Sequence, residues 1–346
     1  MRRLALLLPL LTLTCGDAPA TSTETDATET DAATQASSEA GSSASGDGSS
    51  ASEGTEGGSE GTSTAGPTSD GTGEATDDTA ATSDGETETT AGSFAPVSFA
   101  VIGDTPYEDE DELALVEHLA ALNELGGASF LVHVGDIKRG APPCVESEYT
   151  DIRGWLLELV APVFIIPGDN EWNDCDDPDE AWAFWWQHLQ ALDESWPDAP
   201  AAARQPERLE NFAFVERGVL FVGINLVGGA VHDIAEWQTR LAQDADWVEG
   251  QLAAHAGELY AVVVFGHANP SSAHAGFTTP FAEIVASAGL PTLFVHGDGH
   301  EWLNTPGYLG VEALRRVQVE CCSAKPLLVT VDPEAAEPFT LERDPF

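Results

Sequence analysis

The chain is poor in positive charge. Its 346 residues carry 13 Lys and Arg against 59 Asp and Glu, a formal net charge of -46. Residues 1–93 hold 2 basic and 17 acidic side chains (net -15), and residues 94–346 hold 11 and 42 (net -31). A polyanion would be repelled from nearly every approach, which excludes a sequence-reading nucleic-acid binder. Long apolar runs are missing too. None approaches the roughly 20 residues needed to span a bilayer, so there is no place for a bundle of membrane-crossing helices. Residues 18–93 also lack Val, Ile, Leu, Met, Lys, Arg and every aromatic. Nothing there can be buried to offset the entropy of ordering. Residues 16–93 are therefore expected to form a disordered acidic Ser/Thr/Gly-rich linker, extended by carboxylate repulsion to a reach on the order of 50 Å. A glycosylated stalk would share that composition.

Before the linker, Arg2 and Arg3 precede an apolar stretch, residues 4–13, that is too short to span a membrane. Residues 1–15 read as a signal peptide, which predicts export. Cys15 follows the apolar stretch, and in that position it resembles the lipidated cysteine of a bacterial lipoprotein. On that reading the protein is held at the cell envelope, touching the membrane only through an N-terminal lipid. In an ordinary secretory signal Cys15 would be incidental.

Composition changes after residue 93, beyond which lie all nine Trp and all fourteen Phe. Residues 94–346 read as one mixed α/β domain. Apolar runs at 97–103, 129–135 and 162–168 predict buried strands, each ending in Gly-Asp. Further strands are expected at 260–265 and 292–296 and around Val317, Leu328 and Phe339, with a hairpin turning at Arg217-Gly218. Helices are expected at 111–125, with Leu113, Val116, Leu119 and Leu122 on its apolar face, and at 149–160 and 234–256.

Five of these strand ends carry chemistry: Gly103-Asp104, Gly135-Asp136, Gly168-Asp169-Asn170-Glu171, Gly266-His267 and Gly297-Asp298-Gly299-His300. A single Gly-Asp after a strand is ordinary helix capping. Three in succession followed by two Gly-His loops are not explained that way. In α/β sheets ligands gather beyond the carboxyl ends of the strands. Carboxylates and imidazoles converging there repel one another unless cations are present, and divalent metal resolves the conflict.

In order and spacing these motifs resemble the calcineurin-like metallophosphoesterase family over residues 97–302, and GDTPY, HVGDIK and GDNEWNDC resemble a bacterial branch of it. The resemblance implies a four-layer α/β/β/α sandwich holding two divalent ions. It implies metal ligation by Asp104, Asp136, Asp169, His267, Asp298 and His300, with Asp136 as the bridging aspartate. Asn170 takes the position of the histidine that protonates the leaving group, and with His267 it is the expected catalytic pair. The chain also departs from the pattern. Pro106 replaces the first-motif histidine, leaving Tyr107 or a water to substitute, and Asp298 replaces the first histidine of the closing pair. Asn170 rather than Asp169 could also be the third-motif ligand.

Four aspartates cancel the charge of two divalent ions. Oxygen-rich ligation favours Mn²⁺, Mg²⁺, Fe²⁺ or Ca²⁺ over Zn²⁺. The expected activity is hydrolysis of a small phosphorylated substrate, a phosphodiester or an activated phosphomonoester, by attack of hydroxide on phosphorus. The alternative is a surface lipoprotein of the same fold that binds metal or a phosphorylated ligand without turnover.

Cys144 and Cys175 follow the second and third motifs at similar distances, and adjacent parallel strands predict a bridge between them. Cys321 and Cys322 are adjacent, and their pairing is left open. His133 and His296 read as satisfied core residues, with a supporting role behind the ligands open for His296. His274 is a candidate for facing the cleft, and Trp182, Trp185 and Trp186 read as helix packing. Glu171 and Trp172 are expected to begin a helix. Lys138 could reach a substrate oxygen or be solvated.

Overall fold

A computed structural model describes residues 94–140 and 143–346. The expected signal peptide, Cys15 and the linker lie outside the described residues. β1 (Val97–Ile102), β2 (Leu131–His133) and β3 (Val163–Ile165) run parallel, separated by α1 (Asp109–Leu125) and α2 (Glu146–Leu156). α3 (Pro178–His188) follows. Next come β4 (Ala203–Gln205), β5 (Arg208–Glu216) and β6 (Val219–Gly223), then α4 (Ile234–Ala254), β7 (Ala261–Phe265), α5 (Ala275–Ala288) and β8 (Thr292–His296). The chain ends with β9 (Leu303–Pro306), β10 (Leu314–Gln318), β11 (Leu327–Val331) and β12 (Phe339–Glu342).

The strands form two sheets, ordered β12-β11-β1-β2-β3 and β4-β5-β6-β7-β8-β10-β9. Period-two alternation in the buried strands assigns each face. Phe99 and Val101 of β1 join Val263 and Phe265 of β7 in a core between the sheets, crowded with Phe130, Phe164, Phe214 and Phe221. The intervening Ala100 and Ile102 pack outward with Leu115, Leu119, Ile152 and Trp185. Val262 and Val264 pack outward with Trp237, Leu241, Phe277 and Phe281 of α4 and α5. This is the four-layer α/β/β/α arrangement. Phe130 is wholly buried and meets Phe99, Phe164, Phe214 and Phe221, so Phe130→Ala would cost about 3–5 kcal/mol.

Local signals set the helix starts. Asp177 caps α3 by accepting from the Glu180 N–H, with Pro178 in the first turn, and Asp233 caps α4 from Ala235 and Glu236. Two expectations need correction. α1 buries Leu115, Leu119 and Leu122, an i, i+4, i+7 stripe, and leaves Leu113 69% and Val116 46% exposed. Glu171 and Trp172 do not open a helix; they lie in turns well before α3 starts at Pro178.

Candidate metal centre

The expected ligands converge where the strands of both sheets end. Asp104 follows β1, Asp136 follows β2 and Asp169 follows β3; His267 follows β7, and Asp298 and His300 follow β8. His267 Nε2 lies 3.2 Å from Asp136 Oδ1 and 2.8 Å from Asp169 Oδ1. Two groups of ligand atoms form, each lying within 4.8 Å: Asp104, Asp136 and His267, and Asp169, His267 and Asp298. His267 belongs to both. His300 stands at the mouth, its side chain 48% exposed, with Nε2 3.6 Å from Asp104 Oδ1.

Backbone strain accompanies this convergence. Asp104, Asp136, Asp298 and His300 have φ of 54°, 58°, 66° and 62°, which makes them four of the eight non-glycine residues with positive φ among the described residues. Such conformations cost of order 1–3 kcal/mol each and gather at functional sites. Gly135 and Gly168 let the second and third loops touch. Gly135 has φ of 90°, and a Cβ there would lie 2.6 Å from Gly168 N, while one on Gly168 would collide with the Asp136 backbone.

The donor set fits metal. His267 is wholly buried, and its Nδ1 donates to the Val134 carbonyl at 2.8 Å, which fixes the ring with Nε2 aimed into the cluster, where a cation would take the place of a second proton. Asp104 Oδ2 is buried without a hydrogen-bond partner, and the buried His267 Nε2 and Asp169 Oδ1 have only the contacts that join them within the cluster. Orphaned buried groups of this kind are rare unless a ligand completes them. The electrostatics show the same demand for positive charge. Burial pushes Asp104 up to about 7, with Asp136 and Asp298 adding to the rise. Burial would lower His267, but Asp136 and Asp169 override it and hold the imidazole well above its ordinary range. Burial also raises Asp136, yet His267 outweighs it and keeps that carboxyl low.

Asn170 braces Asp136. Its Nδ2 donates to Asp136 Oδ2 at 2.5 Å and its backbone N–H to Oδ1 at 3.1 Å. The Tyr107 hydroxyl donates to the same Oδ2 at 2.8 Å and lies 3.4 Å from Asp104 Oδ1 and 3.3 Å from His300 Nε2. It thus stands among the ligands, three residues after Asp104. Glu171 is fully buried and accepts from the Gly168, Asp136 and Ile137 N–H groups at 2.6, 3.2 and 3.4 Å, tying the second and third loops together. Sequence reading missed that role; the signal available was an acid closing the third motif with no helical period behind it.

Lys138 is neither solvated nor free for substrate: it is buried and donates to the Asn170 and Arg139 carbonyls. His274 faces no cleft. It is buried and paired with the Val227 carbonyl and with Ser271. His133 is buried against the Thr105 carbonyl, and burial pushes it down to about 4. A disulfide joins Cys144 to Cys175, with Cα atoms 5.8 Å apart, and Cys321 pairs with Cys322. The Cys322 N–H donates to the Asp104 carbonyl, so this last loop leans on the first motif.

A two-sheet sandwich with carboxylates and imidazoles gathered at its strand ends defines the metallophosphoesterase fold. The sequence model of calcineurin-like phosphoesterases matches residues 97–302, and the chain belongs to that family. No curated protein matches it. Solved structures that resemble it include GAP50 of Plasmodium, titled the anchor in the inner membrane complex (9% identity, TM-score 0.45, covering 72% of this chain and 88% of that one). TT1561 of Thermus thermophilus aligns at 12% identity and TM-score 0.44, covering 71% and 98% of the two chains. NAD nucleotidase of Haemophilus influenzae aligns at 12% and 0.42 over 72% of this chain, which spans half the length of that protein (50%).

Proposed function

We propose that this protein is an exported, lipid-anchored, metal-dependent phosphoesterase that hydrolyses a phosphodiester or an activated phosphomonoester. The observation that carries the reading is the cluster of Asp104, Asp136, Asp169, His267 and Asp298, in which Asp104 Oδ2 is buried without a partner and one imidazole faces several carboxylates. These residues would hold two divalent ions, and the oxygen-rich set favours Mn²⁺, Mg²⁺, Fe²⁺ or Ca²⁺ over Zn²⁺. When bound, the ions supply charge neutralisation for the phosphoryl oxygens and an activated water.

The chain's own groups do the positioning. Tyr107 and Asn170 hold Asp136 Oδ2 from two sides, fixing the orientation of that carboxylate. His267 is locked by Val134. His300 stands at the mouth, where its imidazole can hydrogen-bond an ester oxygen. The Asn170 amide has no titratable proton and is already engaged with Asp136, so esters whose alcohol leaves without protonation are favoured.

The test is to strip the full-length protein of metal, reload it with each ion, and assay aryl phosphomonoesters and phosphodiesters. Metal-restored hydrolysis that is lost in Asp136→Asn is the expected result. Tight metal binding without turnover of any ester would make the protein a binding member of the family.

A further inference from the structure

An arginine two hydrogen bonds from the metal centre has no anionic partner. Among the described residues, arginines of this acidic domain commonly sit within 4 Å of a carboxylate, Arg343 on Glu320 and Arg240 on Glu236 among them. Arg316, on β10, does not. Its Nε donates to His296 Nε2 at 2.7 Å, its Nη2 donates to Asn269 Oδ1 at 2.6 Å, and the guanidinium lies 5.1 Å from the centre of the Tyr308 ring. His296 is wholly buried, and its Nδ1 pairs with the Gly297 carbonyl, leaving Nε2 as a neutral acceptor. The guanidinium is therefore fixed on three sides by groups that do not neutralise it. Nη1 has no partner among the described residues.

Its location gives that charge a use. The Asn269 N–H donates to Asp298 Oδ2 at 2.8 Å, so Arg316 stands one residue away from a metal ligand. Four ligand aspartates cancel the charge of two divalent ions, so the metal centre adds little attraction for an anion. A half-buried, oriented and unneutralised guanidinium is a fork matched to phosphate or carboxylate oxygens.

We infer that Arg316 is a substrate-specificity residue, and that the phosphoester this protein acts on carries a second oxyanion, a phosphate or carboxylate, on the part that extends past Asn269. This rests on the phosphoesterase reading. A charge-assisted hydrogen bond of this kind corresponds to a preference of about tenfold or more.

The experiment compares three p-nitrophenyl phosphodiesters whose second arm is ethyl, carboxyethyl or phosphonoethyl. The metal-loaded protein is expected to favour an anionic arm by about tenfold or more in kcat/KM, mainly through KM, and the two anionic arms distinguish carboxylate from phosphate. In Arg316→Gln the preference falls toward one, and Arg316→Lys keeps part of it. Equal losses on all three esters would mean that Arg316 only fastens the Asn269 loop, and the inference falls. Absence of any preference in the parent protein also overturns it. If no ester is hydrolysed, the phosphoesterase reading fails separately, and calorimetry with carboxyethylphosphonate against ethylphosphonate decides on Arg316: tighter binding of the former, lost in Arg316→Gln, upholds the anion site, and equal binding overturns it.

Discussion

The Tyr107 hydroxyl donates to Asp136 Oδ2 at 2.8 Å, from the position directly after Pro106, which stands where the family's first motif has its histidine. Burial, Asp136 and Asp104 push the phenol far above its ordinary range, so it acts as a hydrogen-bond donor. Tyr107→Phe should lower metal affinity about 10–100-fold, the usual effect of removing a group that orients a ligand. Calorimetric metal titration checks this, and unchanged affinity would remove Tyr107 from the centre.

Glu171→Ala should destabilise the domain. It would leave the Gly168, Asp136 and Ile137 N–H groups without their buried acceptor. Three lost partners amount to roughly 3 kcal/mol or more, a fall in Tm of about 6–12 °C for a domain of this size. Glu171→Gln keeps one acceptor oxygen and should lose less. Thermal melts of both variants without added metal give the answer.

Asp244 predicts a pH dependence remote from the metal. It is wholly buried; Oδ1 accepts from Asn211 Nδ2 at 2.8 Å, and Oδ2 has no partner. Burial pushes it up from 3.8 to about 7, against the pull of Asn211, Arg240 and Arg208. The folded state thus holds this proton more tightly than the unfolded chain does. The contribution is fully present below about pH 4 and is lost as pH rises toward 7. Asp244→Asn should therefore gain on the parent as pH climbs from 4 to 7, by a total on the order of 3 kcal/mol. A constant gap between the two unfolding curves would contradict it.

The Cys144–Cys175 bridge closes a loop of sequence separation 31, and both sulfurs lie 3.5 Å from the Asn170 carbonyl oxygen. Replacing both cysteines by serine should cost about 3–4 kcal/mol and loosen the loop that carries Asp169 and Asn170. Denaturant unfolding reads the first effect and metal affinity the second. Recovery of a free Cys144 peptide from unreduced protein would show that the bridge does not form.

Much of this centre was legible because its signals are local. An apolar run closed by Gly-Asp or Gly-His states both the strand and the side chain at its end, so Asp104, Asp136, Asp169, His267 and Asp298 could be named together. Residues that act across the fold carried no such mark. Glu171 reads like a helix start until its N–H partners Asp136 and Ile137, from another loop, are seen. Arg316 reads like any strand arginine until Asn269 and His296 are placed beside it. Leu113 and Val116 fit a helical period yet face outward, because several periods fit the apolar residues of α1 and only packing selects one. Sheet order was hidden for the same reason: pairing is non-local, and nothing in β10 says that it lies between β8 and β9.

β1 lies between β2 and β11, paired with Val331 through Leu327 along its length. A chain made from its amino end thus completes β1, β2 and β3 long before the strand that covers the open edge of β1 exists. Until residues 327–331 arrive, that edge presents unpaired backbone groups able to capture another chain. Pairing across more than 200 residues is also slow to find. The edge of β1 is thus sealed by a strand made more than 200 residues after it, and loss of β11 would expose it.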